Sequence, residues 1–320
     1  MQTYDVFNGD ADGICALIQL RLAEPCESVL ITGVKRDTTL ARHVPGSEPA
    51  QVNILDVSLD KNRDAVDALL AAGCRVFYVD HHFAGDTLPE HTHFTALIDT
   101  QPTTCTSLLV DQHLKSRFHN WAIAAAFGDN LNAVGEDLAA RAGLSSDQTE
   151  ALKTLGVCIN YNGYGATIED LHFHPADLYR EFVTFADPLE LIDSEPAAWQ
   201  QLRDGYEADM AQGLAASVLA ETATSLVVKL PGEAWARRVS GVLGNELANL
   251  NPDRACAIVT EQADKTYLVS IRAPLNNRSG ADEVARQFPT GGGRQAAAGI
   301  NALPADQLDE FLGAMSGAWS

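Results

Sequence analysis

RVFYVDHHF, residues 75 to 83, runs from a β-branched and aromatic segment straight into an acid and two adjacent histidines. The segment reads as a strand, and Gly73 just before it suits the end of a helix. Inside a strand, neighbouring side chains point to opposite faces. His81 and His82 therefore reach one site together only if they lie just past the strand's end. In open α/β sheets that edge is where ligands bind.

Outward from this stretch, the first half alternates strand and helix. YDVF (4–7) predicts a short strand that ends at Asn8-Gly9-Asp10-Ala11-Asp12-Gly13, and ICALIQLRL (14–22) follows with helical apolar spacing. SVLITG (28–33) and QVNILDVS (51–58) predict the second and third strands, the latter ending at Asp56. Asp60 to Ala72 reads as a helix, RVFYV as the fourth strand and FTALID (94–99) as the fifth. Helical stretches follow near Thr104 to Leu114 and Ala122 to Leu131. This rhythm implies an α/β fold with a doubly wound, mostly parallel sheet.

The pattern changes near Pro188 to Ser194. Glu195 to Glu221 is Ala-rich and reads as a connecting helix. LVVKL, RRVSGVL, ACAIVTE and KTYLVSIRA then read as strands of a smaller α+β domain, closed by GGGRQAAAGI and a helix over Ala305 to Met315. The expected organisation is a first domain over 1–194, a connecting helix over 195–222 and a second domain over 223–320.

Composition narrows the class. The 320 residues are 46% hydrophobic and 20% charged, an ordinary globular balance. No apolar run approaches the ~18 residues of a membrane span. MQTYDVFNGD lacks the basic and apolar regions of a signal peptide. Cys15, Cys26, Cys74, Cys105, Cys158 and Cys256 form no CxxC pair, which suits reduced cysteines in the cytoplasm. A net charge of -21 opposes long duplex nucleic acid but leaves room for a small anion at a local cationic site.

The acids share a topological position. Asp10 and Asp12 follow the first strand, Asp56 ends the third, Asp80 the fourth, and Asp129 closes an apolar helical run. Taken singly, DADG reads as a turn, Asp56 as a helix cap and an HH pair as an ordinary surface pair. Gathered at one sheet edge, ionised carboxylates repel unless protonated or neutralised by cations. Two divalent ions would balance Asp10, Asp12, Asp56 and Asp129, and imidazole with carboxylate suits manganese. His91, His93, His172 and His174 lie in Pro-containing polar loops away from these acids and read as non-ligands.

In chain order, GDADG (9–13), LDVS (55–58), VDHH (79–82) and FGDN (127–130) resemble the four motifs of the DHH phosphoesterase superfamily. GGGRQAAAGI (291–300) resembles the signature of its DHHA1 domain. Each motif alone is weak; five in order, spanning nearly the whole chain, are highly specific. The length resembles the compact nanoRNase and oligonucleotide-phosphodiesterase branch rather than the longer RecJ exonucleases. The resemblance implies metal ligands at Asp10, Asp12, Asp56, His81 and Asp129. His82 would face the scissile phosphate, with Asp80 a ligand or a partner of the histidines. It implies two Mn2+ ions, with Mg2+ or Co2+ as substitutes, and in-line attack by activated water. Arg272 would hold substrate, with Asn277, Arg278, Gly291, Gly292, Gly293 and Arg294 as further contacts. INYNGYG (159–165) resembles an Asn-Gly stretch of RecJ-like members and is expected to be a loop near the cleft.

Two positions depart from the pattern. Val6 stands where many members have a ligand histidine that RecJ-type members also lack, and Arg294 stands where a histidine usually follows the glycines. The leading expectation is cleavage of dinucleotides of the pApA kind or short oligonucleotides to mononucleotides. An exopolyphosphatase or pyrophosphatase and a non-catalytic nucleotide-binding module are the alternatives. No membrane partner is expected, and a homodimer is left open.

Overall fold

Five strands of the first half lie side by side, every pair parallel; counted along the chain, the second is at one edge, followed by the first, third, fourth and fifth. The structure is a computed structural model and describes residues 1–319. The chain divides into two units, Met1–Asp204 and a second that begins at Gly205. The first contains β1 (Thr3–Phe7), α1 (Ala11–Ala23), β2 (Val29–Ile31), β3 (Gln51–Leu55), α2 (Leu59–Ala71), β4 (Arg75–Asp80) and β5 (Phe94–Ile98). Helices α3 (Thr106–His113), α4 (His119–Gly128), α5 (Asn132–Arg141), α6 (Ser146–Gly163), α7 (Pro175–Phe182) and α8 (Pro188–Ser194) follow, and α9 (Ala197–Leu214) runs across the division.

Strand alternation sorts the side chains of this sheet. Val6, Val52, Ile54, Val76 and Tyr78 pack with Val66, Leu69 and Leu70 of α2 on one face. The opposite face carries Asp5, a buried acid gripped by Arg21 of α1 at 2.6 and 2.8 Å and by Asn53 at 2.7 Å. Helices thus lie on both faces, and the sheet is doubly wound. Strand order reverses at β1, so the crevice between the C-terminal ends of β1 and β3 is the switch point of the fold.

The second unit contains β6 (Ser217–Glu221), β7 (Ser225–Leu230), α10 (Ala234–Leu250), β8 (Ala255–Glu261), β9 (Tyr267–Arg272), α11 (Ala281–Ala285), β10 (Gly291–Arg294), β11 (Ala297–Leu303) and α12 (Leu308–Ala318). Its sheet is mixed, ordered β10-β11-β9-β8-β7-β6, with only β7 and β8 parallel and α10 connecting them. Among the described residues, no helix is long and apolar enough to cross a membrane.

Two sequence expectations are corrected here. RRVSGVL is not a strand but the middle of α10. Ala236, Val239, Val242, Leu243 and Leu247 recur at helical spacing and are all buried, so the period of the apolar stripe outweighs the β-branched content. The helix expected over Glu195 to Glu221 stops at Leu214, and Ser217–Glu221 pairs with β7 as an edge strand.

Candidate metal centre

The ends of the parallel strands deliver the acids. Asp10 caps α1, its Oδ1 accepting the Gly13 N–H at 3.1 Å. Gly9 is required beside it, because a Cβ there would lie 2.0 Å from the Gly33 carbonyl oxygen. Asp12 is fully buried in the first turn of α1. Its two carboxylate oxygens accept the backbone N–H groups of Thr106 and Ser107 at the start of α3, each at 2.7 Å. Asp56 directly follows β3 with φ +60°, a left-handed conformation uncommon for a residue with a side chain. Its N–H donates to Val79 O of β4 at 3.0 Å, and its Oδ1 accepts the Thr106 hydroxyl at 3.1 Å. Asp129 is the C-cap of α4.

These groups meet around one imidazole. His81 Nε2 lies 3.5 Å from Asp56 Oδ1, 3.6 Å from Asp129 Oδ2 and 3.9 Å from Asp12 Oδ2. His81 Nδ1 donates to the Thr104 carbonyl at 3.1 Å, which leaves the Nε2 lone pair facing the carboxylates. His82 Nδ1 donates to Asp80 Oδ1 at 2.7 Å. Asp80 Oδ2 is buried with no hydrogen-bond partner among the described residues. Asp12, His81 and Asp129 form one candidate triad of ligands, and Asp56, His81 and His82 another. Carboxylate oxygens around a correctly presented imidazole are donors that manganese and similar divalent ions accept. The structure thus brings Asp12, Asp56, His81 and Asp129 together and sets Asp80 behind His82.

Asp10 is engaged differently, through a residue the sequence reading missed. Lys35, four residues past β2, places Nζ 2.6 Å from Asp10 Oδ2, 2.9 Å from Asn160 Oδ1 and 3.4 Å from Asp129 Oδ1. The available signal was its position: Lys35 follows a strand at the same sheet edge as the acids. Asn160 also corrects an expectation, since Ile159–Gly163 is the last turns of α6 rather than a loop. The stretch is helical because Asn162, which would favour a turn, spends its side chain on Phe173 O and on the N–H groups of His172 and Phe173.

Burial and charge together shift the acids of the group. Burial, then the charges of Asp10, Asp12, Asp129 and Asp80, push the Asp56 carboxyl well above the usual carboxylate range. Burial and Asp129 raise Asp12 as well. Burial also works against ionised Asp10, but Lys35 outweighs it and holds that carboxyl below its usual range. Folded Asp56 and Asp12 therefore bind protons more tightly than in the unfolded chain. The stability tied to them is present at low pH and is lost as pH rises above the ordinary value of 3.8 towards the folded values. Asp10 has the opposite sign: its contribution is present above 3.8 and is lost as pH falls through its lower folded value. A bound cation offsets the repulsion, so the Tm gap between manganese-loaded and chelator-treated protein should widen as pH rises above the ordinary carboxylate value of 3.8. Melts at several pH values check this; a constant gap would show that the buried acids do not titrate with metal binding.

The expected substrate residues lie in the second unit. Arg272 is half-buried and turned inward, donating to Asn245 Oδ1 at 2.7 Å, Ser270 Oγ at 3.0 Å and Ile271 O at 3.2 Å. Asn277 Oδ1 accepts the Ser279 hydroxyl at 2.8 Å. Arg278 and Arg294 are exposed. Gly291, Gly292 and Gly293 lie in the edge strand β10, each pairing with a residue of β11. Packing alone requires two of them. A Cβ at Gly291 would lie 1.8 Å from Ala285 O, and Gly293 has φ +143° with Ala298 Cα 2.5 Å from such a Cβ. At Gly292 a Cβ would meet nothing within 4 Å. His172 Nε2 bonds to the Tyr161 hydroxyl at 2.7 Å, and His174 caps α7 by accepting the Ala176 N–H.

No family model matches the sequence, and no curated protein does. Among solved structures, the chain is similar to a pGpG-specific phosphodiesterase, PggH, from Vibrio cholerae, with a TM-score of 0.58 and 13% identity over 99% of this chain and 100% of that one. It is also similar to RecJ from Thermus thermophilus, solved in complex with Mn2+, with a TM-score of 0.56 and 16% identity. That match covers 98% of this chain and 51% of RecJ, so the chain spans about half of RecJ's length. At these identities the likeness is one of fold: an α/β unit with an all-parallel sheet, followed by a smaller unit with a mixed sheet.

Proposed function

We propose that the chain is a DHH/DHHA1 phosphoesterase that hydrolyses dinucleotides and short oligonucleotides to mononucleotides, with manganese as its metal. The carrying observation is His81 Nε2 within 3.9 Å of carboxylate oxygens from Asp12, Asp56 and Asp129, three acids supplied by separate segments. The five motifs in order and a fold shared with a pGpG-specific phosphodiesterase support the substrate class. The six cysteines form no disulfide among the described residues, which suits work in the reducing cytoplasm.

Asp12, Asp56, His81 and Asp129 would hold the metal, with Asp10 at the cluster's margin. A bound divalent ion activates water and neutralises phosphate charge. The chain's own groups do the rest. The amides of Thr106 and Ser107 fix Asp12, and Thr104 O fixes the tautomer of His81. Asp80 holds the proton of His82 at Nδ1, which leaves Nε2 to exchange a proton with a phosphate oxygen. In the second unit, Arg278, Arg294 and the open edge at Gly292 would grip a terminal phosphate. The net charge of -21 disfavours longer polyanions, whose outer phosphates would meet a negative surface.

A substrate panel tests this reading. A 5′-phosphorylated dinucleotide, polyphosphate and a small chromogenic phosphodiester are assayed with manganese, followed by oligonucleotides of rising length. The dinucleotide should be preferred, and kcat/KM should not climb with length. Preference for polyphosphate would transfer the chain to phosphoanhydride hydrolysis. Activity that persists in excess chelator would end the metal-hydrolase reading. Arg294→Ala should lower kcat/KM on the dinucleotide by about one to two decades, from the ~1.5–3 kcal/mol of a charged hydrogen bond. It should leave the chromogenic ester nearly unchanged, whereas equal loss on both substrates would mark Arg294 as structural.

A further inference from the structure

We infer that the Lys35 ammonium occupies the place of a second divalent cation, so that the cluster takes one divalent ion, among Asp12, Asp56, His81 and Asp129. The inference rests on the metal-hydrolase reading above and departs from the expectation of two manganese ions.

An ammonium has three donors. Lys35 has three acceptors at hand: Asp10 Oδ2 at 2.6 Å, Asn160 Oδ1 at 2.9 Å and Asp129 Oδ1 at 3.4 Å. The ring of Tyr164 lies below it, 5.4 Å from Nζ to the centroid, an added attraction for a cation. The backbone is pinned too, with the Lys35 N–H donating to Gly163 O at the end of α6 at 2.8 Å. This is a positioned charge, not a solvated surface lysine.

The ligands remaining do not furnish two ions. Both candidate triads need His81, and its Nδ1 is spent on Thr104 O. One imidazole nitrogen binds one metal. Asp10, the acid that could complete a second site, already has Lys35 on one oxygen and the Gly13 N–H on the other. The position four residues before Asp10 is Val6, a fully buried side chain with no donor atom. A second divalent ion at Asp10 would have to displace the ammonium or face its charge within the same buried cluster, where repulsion is weakly screened. In charge, the four carboxylates become a deficit of three beside Lys35, and one divalent ion leaves a single negative charge for the substrate site to carry.

The test counts manganese on the full chain. Metal-stripped protein is titrated with Mn2+, bound metal is measured by elemental analysis, and electron paramagnetic resonance distinguishes isolated from exchange-coupled ions. The wild type should bind one Mn2+ with the spectrum of an isolated ion. Lys35→Ala should bind a second ion and show coupling, and Lys35→Arg should return to one. Two coupled ions in the wild type would overturn the inference and leave the metal-hydrolase reading intact. No bound manganese would overturn that reading and the inference with it. One ion in a Lys35→Ala protein whose circular dichroism matches the wild type would remove Lys35 from the role. If Lys35→Ala does not fold, the wild-type count alone still decides.

Discussion

Asp56→Asn should lower manganese-dependent hydrolysis by more than about a hundredfold while leaving the metal-free protein as stable as the wild type or more so. Groups that merely orient metal ligands contribute ~10–100-fold, and a ligand at the centre of the cluster should exceed that. Asparagine keeps the shape, keeps an acceptor for the Thr106 hydroxyl and tolerates the positive φ at this position. What it removes is the charge. In the metal-free fold that charge is opposed by burial and by Asp10, Asp12, Asp129 and Asp80, so its loss relieves repulsion. With metal present the same charge is a ligand and part of the neutralisation. The two effects carry opposite signs, and parallel measurement of kcat/KM and of metal-free Tm separates them. A variant that is inactive because it is unfolded, or that stays fully active, would remove Asp56 from the centre.

Gly156→Ala should destabilise the protein by about 3 kcal/mol, at the upper end of ordinary overpacking costs. Helix propensity alone argues for stabilisation, since alanine in mid-helix is favoured over glycine by ~1 kcal/mol. Geometry decides against it. A Cβ at Gly156 in α6 would lie 1.8 Å from Ala124 O in α4 and 3.1 Å from Gly128 N. Backbone cannot rotate away as a side chain can, so the two helices must separate. Gly128 is also closely packed, since a Cβ there would lie 2.4 Å from the Cβ of Ala11 in α1. Because Asp129 follows Gly128 and Ala11 lies between Asp10 and Asp12, the same displacement should misplace ligands. Denaturant unfolding should show a lowered midpoint, and the folded fraction should bind manganese more weakly. An unchanged midpoint would mean that α4 and α6 adjust without cost.

The sequence by itself determined the first unit and its acids. The alternation of short apolar strands with helical stretches has periods of 2 and 3.6, which are local properties of the chain. A parallel sheet then forces the loops after β1, β3 and β4 to one edge, so Asp12, Asp56 and His81 could be assigned to one site without coordinates. The second unit was less legible. RRVSGVL has the composition of a strand and the spacing of a helix, and only burial against the sheet shows which one governs. The end of α9 was hidden in the same way, since Ser217–Glu221 becomes a strand through pairing with β7.

Tertiary structure alone decided how the acids are neutralised. Nothing local marks Lys35, 25 residues beyond Asp10 and 125 before Asn160, as their partner. Its three acceptors come from the N-cap of α1, the C-cap of α4 and from α6, and the packing of α4 on α6 through Gly128 and Gly156 brings two of them close. The same holds for the amides on Asp12, which arrive from α3, 94 and 95 residues later in the chain. Sequence patterns report periodicity and strand ends because those are short-range. The balance of charge in a buried site is set by groups converging from distant segments, and Lys35 is one of those groups.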